Sequence, residues 1–126
     1  MGIIYANISL SNPRNKNLIP LETSSLIDTG AMWVCVPEHV AIQLELEELE
    51  KREVTTADGK KHLCSYVGPL QVRFENRSCF TGALVLGDTV LLGSIPMEDM
   101  DLVIHPLKRK LIVNPESPNI PAGIVK

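Results

Sequence analysis

Alternation of apolar and polar residues, rich in β-branched side chains and cut by turn signals about every ten residues, most limits what this chain can become. A strand presents successive side chains to opposite faces, so such a pattern pays off only where one face meets a core. Residues 2–10, 18–27, 70–74 and 79–86 are predicted to be extended, and the ensemble to form an all-β barrel or sandwich. Glu53 to Lys60 followed by 63–67 reads as a hairpin, with Asp58-Gly59 supplying a type I′ turn. Gly68-Pro69 is expected to interrupt the chain there. A second hairpin is expected around the polar tip Glu75-Asn76-Arg77-Ser78, and a short strand over 89–92 ends at Gly93. Strands at 102–104 and 111–113 bracket a turn through His105 and Pro106.

Helical signals are few. Pro37 at a first helical position, with Glu38 just after it, predicts a short helix over 37–44, open to extension to Leu49 through the acidic Glu45, Glu47, Glu48 and Glu50, the acids forming a solvated face. A second short helix is expected over 95–100. From about residue 115, Pro115, Pro118 and Pro121 exclude a central strand and predict an extended tail. The 126 residues fit a single domain, 1–126, with no linker and no internal repeat.

Charge and cysteine usage narrow the function classes. Twelve Lys+Arg against fifteen Asp+Glu leave a net charge of −3, and the longest basic run is Lys108-Arg109-Lys110, so a nucleic-acid partner is not expected. No apolar run nears the roughly 20 residues that cross a bilayer, so no membrane partner is expected either. The start lacks a basic lead and a long apolar stretch, so no secretory leader is expected. Cys35, Cys64 and Cys79 are an odd number without a Cys-x-x-Cys pair, and His39, His62 and His105 share no ligand spacing. No metal is expected, and the cysteines read as buried thiols of a reducing, cytoplasmic compartment.

Chemistry concentrates in Leu26-Ile27-Asp28-Thr29-Gly30-Ala31. An ionisable Asp28 lies where an apolar strand leaves the core. Thr29 can donate and accept at once, and Gly30 lets its N–H approach a carboxylate. Such a turn can hold a carboxyl rigidly for acid–base work. A strand-to-turn corner with an exposed Asp would carry the same residues.

The order of motifs resembles the retropepsin-like aspartic proteases, the family of retroviral proteases and their cellular and bacterial relatives. The matching residues are Asp28-Thr29-Gly30-Ala31 after an apolar strand, a hairpin over 54–67 with its tip at Ala57-Asp58-Gly59, Val90-Leu91-Leu92-Gly93 with its glycine 65 residues beyond Asp28, and a last strand over 111–113. The likeness spans nearly the whole chain and is nearest the small bacterial-type members, where a helix opening with Pro follows the motif. It implies a closed acid-protease β-barrel with one or two short helices and an active site on a homodimer two-fold axis. It further implies an aspartic endopeptidase in which Asp28 and its symmetry mate share a proton, activate water and need no cofactor. Thr29, Gly30 and Ala31 would support the catalytic loop. Thr56, Ala57, Asp58 and Gly59 would form a flap over an extended polypeptide substrate, and Met32, Trp33 and Leu92 could line a substrate pocket. Retroviral members carry an Asp two residues beyond the motif glycine and an Arg after the late glycine; Met32 and Ser94 stand there instead. The Pro-rich tail also departs from the interleaved termini of those enzymes. The same residues leave open a non-catalytic peptide-binding or structural module on this fold, and a β-barrel unrelated to proteases.

Overall fold

The computed structural model describes residues 3–126. In chain order the elements are β1 (Ile4–Ser11), β2 (Leu21–Ile27), β3 (Val34–Val36), α1 (Glu38–Gln43), β4 (Glu47–Thr55), β5 (Lys61–Phe74), β6 (Arg77–Val85), β7 (Leu91–Leu92), α2 (Ser94–Asp99), β8 (Leu102–His105) and β9 (Lys110–Val113). The expected first strand thus begins at Ile4; Gly2, its expected first residue, lies outside the described residues along with Met1.

Six strands close into a barrel in the order β1-β2-β7-β3-β6-β5, with β5 returning to β1 through Ser9–Arg73, Leu10–Val72 and Ser11–Gln71. Closure removes the free edges of these six strands, whereas β4, paired with β5 alone, keeps an open outer side. Alternation sorts the side chains: Ile4, Ile8 and Leu10 of β1 point inward while Tyr5 and Asn7 face out. Leu10, Val34, Val36, Leu70, Val72 and Leu92 are fully buried in one continuous core, each contributing about 1.5–3 kcal/mol by leaving water. The fold is all-β with two short helices. Strands β8 and β9 form a separate two-stranded sheet. Among the described residues no helix is long and apolar enough to cross a membrane.

Four local expectations need correction. The helix from Pro37 stops at Gln43: Leu44 is buried, Glu45 adopts φ 53°, and the buried Asn12 Nδ2 donates to Leu44 O at 2.9 Å, closing the helix end. The acids beyond it stay solvent-facing but belong largely to β4, because pairing with β5 outweighs their helix preference. Gly68-Pro69 does not interrupt the chain; β5 runs through it, with a register shift against β6 between Val67 and Leu70. Arg77 is no tip residue, since the turn is Glu75-Asn76 alone and Arg77 pairs with Phe74 and is buried. Finally, the Asp58-Gly59 turn is not type I′. Only Gly59 has positive φ, at 83°. Gly59 N donates to Thr56 O and Thr56 N to Lys60 O, each at 2.9 Å, the pattern of a three-residue loop with a glycine bulge.

The tail is neither a strand nor free. Asp101 Oδ1 accepts from Asn114 Nδ2 at 3.0 Å, and Oδ2 accepts from the Ser117 hydroxyl and from Ala122 N. Arg77 Nη2 donates to Ser117 O, and Asn76 Nδ2 to Pro118 O at 2.9 Å.

Candidate active site

Two parallel pairings bring the Asp28 loop to a fixed place. Leu26 and Ile27 pair with Leu91 and Leu92, Leu26 N donates to Val90 O at 2.9 Å, and Asp28 N donates to Leu92 O at 3.1 Å. The loop then folds on itself: Gly30 N donates to Asp28 Oδ1 at 2.9 Å and Ala31 N to Asp28 O at 3.2 Å. Any side chain at Gly30 would place its first carbon 3.2 Å from that carboxylate oxygen. Beyond it, Ser94 N donates to Ala31 O at 2.8 Å and Ile95 N to Met32 O at 3.0 Å. This close approach requires Gly93, where a Cβ would stand 2.6 Å from both Met32 C and Trp33 O. The late glycine singled out in the sequence is thus the seat of the loop.

Asp28, half-buried, lies on the floor of a cleft of about 620 Å³. Gly30, Ala31, Met32 and Trp33 share that floor, and residues 53–57 of the β4–β5 hairpin line the opposite side. Asp28 and residues 53–57, 25 to 29 positions on in sequence, therefore face one space. Thr56 and Ala57 reach it; Asp58 and Gly59 do not line it and form the exposed tip instead. There Asp58 Oδ1 accepts from Thr56 Oγ1 at 2.6 Å and from Lys60 N at 3.0 Å, which holds its carboxyl below the ordinary range. Thr29 opens away from the cleft. It is exposed on a second groove of about 450 Å³, with Ser94, Glu98 and Val103.

Leu92 needs correction as a pocket residue: it is fully buried in the core, and Leu91 lines the cleft in its place. Neighbouring strand residues point to opposite faces, and which one faces the cleft follows from register that the apolar pair Leu91-Leu92 does not reveal. Leu84, Leu86 and Val54 add further apolar lining. Sequence reasoning also missed Cys35, a cleft residue whose thiol is pushed up by burial first, then by Cys64 and Asp28. A thiol so disposed stays protonated and is a poor nucleophile. Glu53 is the other carboxylate on the cleft, 3.9 Å from Lys61 Nζ. No group of three or more His, Cys, Asp or Glu placed to hold a metal ion occurs among the described residues.

Arg52 links the hairpin to Trp33 on the cleft floor. The Arg52 guanidinium lies 3.6 Å from the Tyr66 ring centroid and 5.1 Å from that of Trp33, with its Nε donating to Glu50 Oε2 at 2.7 Å. Comparison with protein-family models and with curated proteins finds no match to this chain.

Proposed function

We propose that the chain is an aspartic endopeptidase of the retropepsin-like kind, active as a homodimer. The observation that carries this reading is the placement of Asp28, its carboxylate oriented by the Gly30 N–H of its own loop, on the floor of an apolar cleft faced by residues 53–57 of the hairpin. An extended polypeptide fits such a space, with an apolar side chain against Trp33 and Leu91 and backbone hydrogen bonds along the hairpin. Chemistry of this class needs two carboxyl groups. One, ionised, takes a proton from water as the oxygen attacks the scissile carbonyl; the other, protonated, donates to the carbonyl oxygen as it gains charge. The proton taken from water then passes to the departing amine. A single chain brings one Asp-Thr-Gly, so the second carboxyl belongs to a second copy on a two-fold axis. Exposure of Thr29 beside Asp28 is consistent with a contact between such loops.

The test uses purified protein and an unstructured polypeptide at mildly acidic pH. The wild type is expected to cleave it, and Asp28→Asn, which keeps an oxygen for the Gly30 N–H, to lose about 10²–10⁴-fold in rate. Sedimentation should show a dimer that binds one pepstatin-type inhibitor per two chains. Retained cleavage by Asp28→Asn overturns the assignment, and peptide binding without cleavage by the wild type would favour a non-catalytic binding module.

A further inference from the structure

We propose that Arg52 is a positioning residue, which by stacking between Trp33 and Tyr66 seats the β4–β5 hairpin over the cleft and limits how far it opens. Among the described residues β4 pairs with β5 alone, so the hairpin projects from the barrel with no strand on its outer side. Something else must fix its angle to the floor. Alternate strand residues share a face: Arg52 and Val54 are the half-buried members of β4, and Thr56 just beyond it continues their row. Arg52 is the one of the three farthest from the hairpin tip.

Its two aromatic partners are themselves anchored. Tyr66 accepts a hydrogen bond from Gly82 N at 3.2 Å, and its ring fills the place of a side chain at Gly82, where a Cβ would come within 2.4 Å of it. Trp33 sits on the cleft floor between the Gly93 contact and β3. The guanidinium thus ties β4 to Tyr66, where its partner strand β5 begins to pair with β6, and across to Trp33 outside the hairpin, while Glu50 holds its plane. A planar guanidinium can lie flat on rings and keep its edge hydrated, which a lysine ammonium or an aliphatic side chain does not reproduce.

Its catalytic consequence rests on the peptidase reading; the seating of the hairpin does not. Trp33 is the only tryptophan, so its fluorescence reports this one place. The experiment compares wild type, Arg52→Leu and Arg52→Lys by acrylamide quenching of Trp33, amide hydrogen exchange and peptide kinetics. For Arg52→Leu, quenching should rise about twofold and exchange over residues 53–63 should quicken about tenfold, with β3 unchanged. KM should rise about five- to tenfold while kcat stays within about twofold, the mark of weakened hold on the peptide rather than lost chemistry. Arg52→Lys should lie between the two. Wild-type quenching and exchange in Arg52→Leu would overturn the proposal. If Arg52→Leu fails to fold, Arg52→Lys decides: readouts equal to wild type overturn it, and faster exchange confined to 53–63 supports it. A wild type without peptidase activity would sink the functional reading, yet fluorescence and exchange would still judge the clamp.

Discussion

The floor and the roof of the cleft are built on opposite principles. The Asp28 loop is gripped from several sides: by β7 through Leu26 and Asp28, by its own Asx turn, and by the turn at Gly93 packed onto Met32 and Trp33. In the hairpin opposite, β4 pairs with β5 alone, the turn at the tip is self-contained, and the Arg52 stack lies between tip and barrel. Hydrogen bonds tied into a closed barrel open only with the barrel, whereas those of a projecting hairpin open locally at lower cost. A cleft made this way can keep the Asp28 carboxyl still while the hairpin above it moves.

The same substitution on each side gives the widest separation. Gly93→Ala forces a methyl group into backbone 2.6 Å away and is expected to cost about 2–3 kcal/mol, whereas Gly59→Ala, with nothing near its Cβ but φ at 83°, should cost about 1 kcal/mol. Urea denaturation of both variants checks this, and equal costs would erase the contrast. Alkylation then sharpens it within the folded protein. Cys35 lines the cleft, while burial pushes the Cys79 thiol up to about 12, so iodoacetamide at mildly alkaline pH should label Cys35 at least about tenfold faster. Peptide mapping reads the order. Faster labelling of Cys35 in Arg52→Leu would trace access to the roof rather than to the floor.

The tail supplies the smallest and most condition-dependent effect. Hydrogen bonds from Ser117, Ala122 N and Asn114 draw the Asp101 carboxyl down to about 2 from 3.8. A depressed carboxyl stabilises the fold above its unfolded value and loses that contribution as pH falls through the folded one. The wild-type melting temperature should therefore exceed that of Asp101→Asn near neutrality, with the gap shrinking between about pH 4 and pH 2. A gap independent of pH would remove the carboxylate from the tail's anchorage.

Legibility in the sequence followed the range of the responsible interactions. Helix α2, the late glycine and most strands were readable because local periodicity and turn chemistry specify them. The extension of the helix to Leu49, which the sequence left open, is absent because Glu47 to Glu50 look helical on their own and become a strand only when β5 lies alongside. Arg77 looked like a surface residue until Ser117, 40 positions away, covered it. Likewise Arg52 bears no local mark of its two aromatic partners, and Leu92 could be told from Leu91 only by register.

Alternation, turn residues and proline-led helix starts alone determined that this chain is all-β, that two short helices interrupt it, and that Asp28 follows a strand whose last residues reach the core. Barrel closure, the joining of residues 53–57 to Asp28 across one cleft, the stack on Arg52 and the strapped tail were decided by tertiary structure. The physical reason is that each depends on contacts between segments distant in sequence, whose loop-closure entropy is repaid only when the whole barrel forms.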